Sequence, residues 1–299
     1  MDAGANVDRQ PETAPIRGEA PGRRARLAAV MRLEVAEVLR SRWILFCALV
    51  YVLLAVVFVF VGMRESTVVG FTGMGRALLS FTHVLVFLLP LLALTATGQV
   101  VNTARADGAL ELLFGNPLRR SEWFLGVSVV RLAVLAVPLV VAVPALALLG
   151  WMAFDQPMPW TWMVRALAVS VSLLGCFVAV GLLISASVRH AARALIALLV
   201  VWCAAVALID FGLMGVMLQQ HVEPRLVFLL AALNPVQGGR MALLAAGDPE
   251  LATLGPVGFY LANHVGSFGL LLVGTLWPLV LGGALWCLAA ARFRRGDIV

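Results

Sequence analysis

The chain has 299 residues, of which 62% are hydrophobic and only 13% charged, and its mean hydropathy is +0.98. Soluble domains average about 45–50% apolar and about 25% charged residues, and a water-facing surface has no room for such an excess, so a soluble globular enzyme is excluded. The net charge is +6 and all 22 basic residues are arginine; they sit at the ends of apolar runs rather than along one face, which argues against nucleic acid as a partner.

Residues 1–24, rich in Pro, Gly, Ala, Arg and acids without apolar periodicity, are predicted to be a disordered cytoplasmic tail. From 25 to 42, Leu27, Val30, Met31, Val35, Val38 and Leu39 recur at helical spacing. Arg26, Arg32, Glu34, Glu37, Arg40 and Arg42 make a polar face. This pattern predicts an amphipathic helix in the headgroup region of the membrane, with a soluble docking helix as the alternative. Residues 43–299 then form the membrane domain. Six apolar runs (43–63, 78–101, 125–154, 161–186, 194–217 and 265–291) each reach the ~20 residues needed to cross ~30 Å of hydrocarbon. No period-two alternation is present, so the predicted fold class is all-α, with six transmembrane helices. Pro138 and Pro144 are expected to bend the third.

Arginine placement orients the spans. With the N-terminus inside, sixteen arginines fall on the cytoplasmic side, whereas only Arg64, Arg76, Arg225 and Arg240 fall outside, with Arg165 near that face. Both termini are then cytoplasmic. Arg131 and Arg165 lie close enough to span ends to snorkel. The one long external connection, 218–264, holds short apolar stretches broken at Asn234-Pro235 and at Gly247-Asp248-Pro249. It is expected to form a compact outer cap with short helices, or a shallow re-entrant pair.

Chemistry-bearing groups are sparse inside the spans. His83 and Asp210, near outer ends, are the only candidates for a proton relay. No catalytic motif and no metal-ligand spacing stands out, and the four cysteines (Cys47, Cys176, Cys203, Cys287) read as small apolar packing residues. Met214, Met217 and His221, with Met152, Met158 and Met163 nearby, would suit Cu(I), but methionine in apolar helices is normally filler, and no metal site is assigned. The glycine spacing of 70–77 mimics a phosphate loop, yet Arg76 and Ala77 stand where Lys and Ser/Thr are required; it is read as a flexible connection.

The most informative stretch is the cytoplasmic link 102–124. Asp107 is a candidate N-cap for a short helix whose Leu110, Leu113 and Phe114 share one face. Asn116-Pro117 is expected to cap and start the next helix. Arg119 and Arg120 are expected to reach the headgroups, and Trp123 to sit at the interface. The run Asp107-Gly108-Ala109-Leu110-Glu111-Leu112-Leu113, followed by Pro117 and Arg120, resembles the coupling segment of ABC-2 type permeases, with Ala109 where that family usually has Thr.

That resemblance covers nearly the whole chain after the tail, because the family also has an amphipathic N-terminal helix, six spans and a longer external region before the sixth. It implies a non-enzymatic permease in the cytoplasmic (inner) membrane, working as a homodimer. A separate cytoplasmic ATPase would bind the ATP and contact Asp107, Gly108, Leu110, Glu111, Leu112, Leu113, Pro117, Arg119 and Arg120; no cofactor is expected in this chain. Three further motifs are similar to permeases of the transporters that mature nitrous oxide reductase: Gly70-Phe71-Thr72, Phe87-Leu88-Leu89-Pro90-Leu91 and Asn234-Pro235 with Arg240. This implies a periplasmic accessory partner and a role in supplying a copper–sulfur site. The reading that competes is an ATPase-independent membrane assembly protein that docks an external partner through 218–264.

Overall fold

A backbone in hydrocarbon must satisfy its own hydrogen bonds, so long apolar runs become helices. In the computed structural model, residues 22–42, 45–53, 73–154, 160–208, 231–247 and 263–296 are described, together with positions 56 and 229, and among them every regular element is helical. In chain order these are α1 (Arg23–Arg40), α2 (Gly73–Thr97), α3 (Val100–Ala106), α4 (Ala109–Phe114), α5 (Arg120–Phe154), α6 (Trp160–Ser187), α7 (Ala191–Cys203), α8 (Pro235–Gly247) and α9 (Gly266–Arg295). Residues 45–53 are also helical.

Four stretches are long and apolar enough to cross a membrane: Val84–Ala106, Arg120–Ala145, Trp160–Ser187 and Gly266–Arg295. The first and fifth predicted spans lie partly outside the described residues. The fifth is represented by α7 and a π turn over Ala204–Leu208. Two expectations are corrected. Gly73–Ala77, read as part of a flexible connection, forms the first turns of α2. The second span does not run unbroken to residue 101, because the chain turns at Gly98-Gln99 and restarts as α3.

α6 is the axis of the bundle: α9, α2, α8 and α5 all pack on it. α9 comes closest, since a side chain at Gly282 would stand 2.8 Å from the Cα of Cys176. Of the cysteines, Cys47 and Cys176 are buried as the packing reading requires, whereas Cys287 is exposed.

Of the two forms expected of 218–264, an outer cap or a shallow re-entrant pair, the described part departs from the cap. α8 has no exposed residue among those described and is packed by α9, α6 and α2. Its Gly239 lies against Leu173, halfway along α6. The motif Asn234-Pro235 explains how the helix starts there: the Asn234 Oδ1 accepts from the Val236 N–H at 3.0 Å, and Pro235 sits where a backbone donor is not needed. The Asn234 amide also donates to the Ala205 carbonyl at 2.6 Å, pairing a backbone acceptor in the π turn.

Candidate functional site

At the end of the bundle that carries the chain's N-terminal helix, α3 and α4 form an elbow. Asp107 is not the N-cap of α4. It closes α3, with its N–H bonded to the Thr103 carbonyl, and exposes its side chain. The reversal falls on Gly108 at φ 68°, a left-handed conformation that costs a side-chain-bearing residue about 1–2 kcal/mol. α4 then presents two faces. Leu110 is 1% exposed, with Leu113 and Phe114 partly buried against the core, while Leu112 is 77% exposed and Glu111 lies beside it.

The exit from the elbow also differs from expectation. α4 stops at Gly115, and the Asn116 amide caps it by donating to the Leu112 carbonyl at 3.2 Å. Pro117 is exposed in the loop and does not begin α5, which starts at Arg120. Glu122 is the residue that closes this helix end. Its Oε2 accepts from the Arg119 N–H at 3.2 Å, the carboxylate half of a capping box. The acid three residues after Arg119 was the available signal, masked by the more conspicuous Asn-Pro pair.

Arg120 and Trp123, expected at the headgroups and the interface, are internal ties. Arg120 Nη1 donates to the carbonyls of Arg294 (3.0 Å) and Gly296 (2.9 Å), at the end of α9. Trp123, 2% exposed, meets Phe293 of α9 with ring centroids 5.2 Å apart and Phe114 at 6.4 Å. A second latch between α5 and α9 is the Trp286 Nε1 donating to Ser128 Oγ at 2.9 Å. The elbow is thus joined to α9 by aromatic packing and by side-chain hydrogen bonds from Arg120 to its last carbonyls.

α1 docks on α5 through a stripe of Val30, Glu34 and Val38. Only part of its apolar face remains outward, at Val35 and Leu39, beside the exposed Leu33. Arg26 reaches Glu122 in a bidentate pair, both contacts 3.0 Å, and that hydrogen-bonded carboxylate raises the Arg26 pKa. Arg131 lies 3.5 Å from both Glu34 and Glu37 of α1. Burial pushes the Glu34 carboxyl above its ordinary value, opposed by the Arg131 charge. By periodicity both acids belong to the helix's polar face; their partner on another helix is invisible in local periodicity.

Open space borders the elbow. An apolar groove of about 330 Å³ runs between Ala29, Val30 and Leu33 of α1 and Leu113, Pro117 and Leu118. A polar cavity of about 350 Å³ lies between α1 and α3, lined by Glu34, Glu37, Thr103, Asp107 and Arg131 among others.

The profile described as "ABC-2 family transporter protein" matches residues 28–298. The chain belongs to the ABC-2 transporter family. Two relatives carry the name "Probable ABC transporter permease protein NosY". The one from Pseudomonas aeruginosa is 30% identical over 274 residues, covering 90% of this chain and 98% of its own length. The one from Stutzerimonas stutzeri is 28% identical over 284 residues, covering 89% and 97%. The chain is therefore a membrane permease subunit of an ABC transporter, and permeases of this family work with a cytoplasmic ATPase subunit.

In this ABC-2 permease, Phe87–Leu91 lies within α2, where Trp202 Nε1 donates to the Phe87 carbonyl at 3.3 Å, next to the break in bonding that Pro90 imposes. Gly70-Phe71-Thr72, Asp210, Met158, Met214, Met217, His221 and the side chain of His83 lie outside the described residues. Met163 is buried and Met152 is 71% exposed, so these two face different surroundings.

Proposed function

We propose that the elbow within residues 102–124 is where this ABC-2 permease receives the ATPase cycle. One observation carries the reading: α4 is anchored on one face and open on the other. Leu110, Phe114 and Trp123 engage the spans and the end of α9, while Asp107, Glu111, Leu112 and Pro117 are exposed. An apolar residue as exposed as Leu112, with the exposed Glu111 and Asn116 next to it, suits a contact whose centre is dry and whose rim is wet. Force on that face passes to α5 and α9 through Arg120 and Trp123. Protein interiors are close-packed, and the unfilled space on both sides of the elbow leaves it room to shift.

The rest of the reading follows the resemblance. Six spans, with residues 1–24 and the C-terminus in the cytoplasm, place the elbow on the ATPase side of the inner membrane. The permease works as a homodimer, with α1 lying along the lipid headgroups through Val35 and Leu39. The similarity of the motifs at 70–72, 87–91 and 234–240 to nitrous-oxide-reductase maturation permeases supports a role in that process, with a periplasmic partner at 218–264.

Glu111→Arg tests the site. Reversing an exposed charge should lower co-purification of the ATPase and ATP-driven function by tenfold or more, while leaving the melting temperature of the isolated permease unchanged. Normal co-purification with normal function would remove the elbow as the contact. Orientation is checked by single cysteines at exposed positions. Leu112→Cys should react with an impermeant thiol reagent only after permeabilisation, and Asn263→Cys should react from the periplasmic side; the reverse pattern overturns the topology.

A further inference from the structure

A long apolar run crosses hydrocarbon most simply as one helix, yet the stretch Val84–Ala106 is broken between α2 and α3. No proline lies at the break. Just before it, the Thr95 and Thr97 hydroxyls donate back to the Leu91 and Ala93 carbonyls at 2.8 and 2.7 Å, a pattern that bends helices. Gln99 then opens to φ −119°, far from the helical value of about −63°. Neighbours clamp the turn. A Cβ on Gly98 would collide with the Leu198 side chain of α7, and one on Gly181 of α6 would collide with Thr97 Oγ1.

One hydrogen bond decides the direction in which α3 leaves. In an unbroken α-helix the Val101 N–H would bond to the Thr97 carbonyl, four residues back. Here it bonds to Ser185 Oγ of α6 at 2.9 Å, and Ser185 is fully buried. Straightening the segment would exchange one acceptor for another, so this donor would stay paired. The balance between the two arrangements is then about the 0.5–1.5 kcal/mol of one net hydrogen bond, small enough for a switch.

Space and an amide point the same way. A cavity of about 350 Å³ touches Thr95, Gln99, Val100 and Thr103 on the α1 side. Another of about 430 Å³ touches Leu91, Leu94, Thr95 and Gln99 on the α7 side. The break thus has room on two flanks, which a close-packed interior seldom leaves. Next to Val101, Asn102 is 3% exposed, and neither its Nδ2 nor its Oδ1 meets a protein partner. Buried amides are nearly always paired, and a second arrangement of the segment would supply this one. We propose that Gly98-Gln99 is a hinge, with Ser185 the positioning residue that holds α3 and the elbow in one of two orientations. The hinge rests on the assignment of the elbow as the ATPase contact: a pull on α4 swings α3, and the Val101 N–H passes from Ser185 to the Thr97 carbonyl.

Hydrogen exchange tests it, read by mass spectrometry on peptides that isolate residues 99–102 of the full-length permease. The permease alone is compared with its ATPase complex, trapped with ATP by a hydrolysis-deficient ATPase. In the permease alone, Ser185→Ala should speed this exchange severalfold or more. In the trapped complex Ser185→Ala and the wild type should exchange alike, because the acceptor is then the Thr97 carbonyl. A serine with only a structural role would give the same difference in both states. That result, or no difference in the permease alone, would overturn the hinge. Ser172→Ala removes another buried contact of α6, to the Thr275 carbonyl, and should leave exchange at 99–102 unchanged; an equal effect there would remove Ser185 as the holding group. Asn102→Leu should lower ATP-driven function severalfold or more with ATPase co-purification unchanged, and normal function in that variant would count against the second orientation. Failure of the elbow assignment shows elsewhere, as normal ATPase co-purification in Glu111→Arg.

Discussion

Two short helices of this permease, α4 and α8, lie in connections between long apolar runs, and they have opposite surroundings. α8 is enclosed by three long helices and leaves no described residue exposed, so its packing is a matter of fit: small residues where backbones meet, and an asparagine to pair the acceptor in the π turn. α4 is half enclosed, with Leu110 inside and Leu112 outside. A helix that must only fit and a helix that must also present a surface should respond differently to substitution. The two faces of α4 should respond differently from each other.

The largest expected effect is on the inner face. Leu110→Ala removes a fully buried side chain and should cost about 2–5 kcal/mol, read as a lower melting temperature and lower yield in detergent. A change no greater than that of Leu112→Ala would abolish the distinction between the faces. Next is the fit of α8. Gly274→Leu would press a side chain toward the Gly238 carbonyl, 2.8 Å from the new Cβ, and against Ala242, at a cost of about 1–3 kcal/mol. A stable, native-like variant would mean that α8 is not held at this depth.

A smaller stability effect is expected where α1 meets the elbow. Glu122→Gln breaks the bidentate pair with Arg26 and weakens the cap on α5, and should lower the melting temperature by less than either change above. Arg26→Glu alone should act likewise, and Arg26→Glu combined with Glu122→Arg should recover part of the loss, the mark of a direct pair. Additive losses in the double variant would show that the two side chains act separately. Smallest of all is the effect expected at the two proton-relay candidates of the sequence, His83 and Asp210. His83→Gln and Asp210→Asn should leave ATP-driven function within severalfold of wild type in vesicles with the ATPase present. Abolition by either substitution, or by collapsing the proton gradient at undiminished ATP, would favour an ion-driven carrier.

Much of the architecture was legible. Apolar runs predict helices because the bilayer offers no other partner for backbone groups, and the run Asp107-Gly108-Ala109-Leu110-Glu111-Leu112-Leu113 marks the elbow segment in the sequence. What stayed hidden were pairings between distant segments. Arg131 looked like a snorkelling residue and Glu34 like a solvated one, yet each is the other's partner, 97 positions apart. Arg120 and Trp123 carry the local signature of headgroup and interface residues, and only the arrival of α9 beside them turns that chemistry inward. Local pattern left 218–264 open between an outer cap and a shallow re-entrant pair for the same reason: α8 is short enough to lie on a surface, and its small residues gain their meaning only against Leu173 and Gly274.

By itself the sequence determined that the protein is helical, belongs in a membrane, and carries a two-faced segment between its second and third apolar runs. Periodicity, hydropathy and capping are local properties, set by a residue and its neighbours within a turn or two. The tertiary structure alone decided which face of α4 is anchored, how deep α8 lies, and that Ser185 of α6 takes the Val101 N–H at the break between α2 and α3. Those facts depend on which helices pack side by side, and packing is a relation between segments that no local pattern encodes.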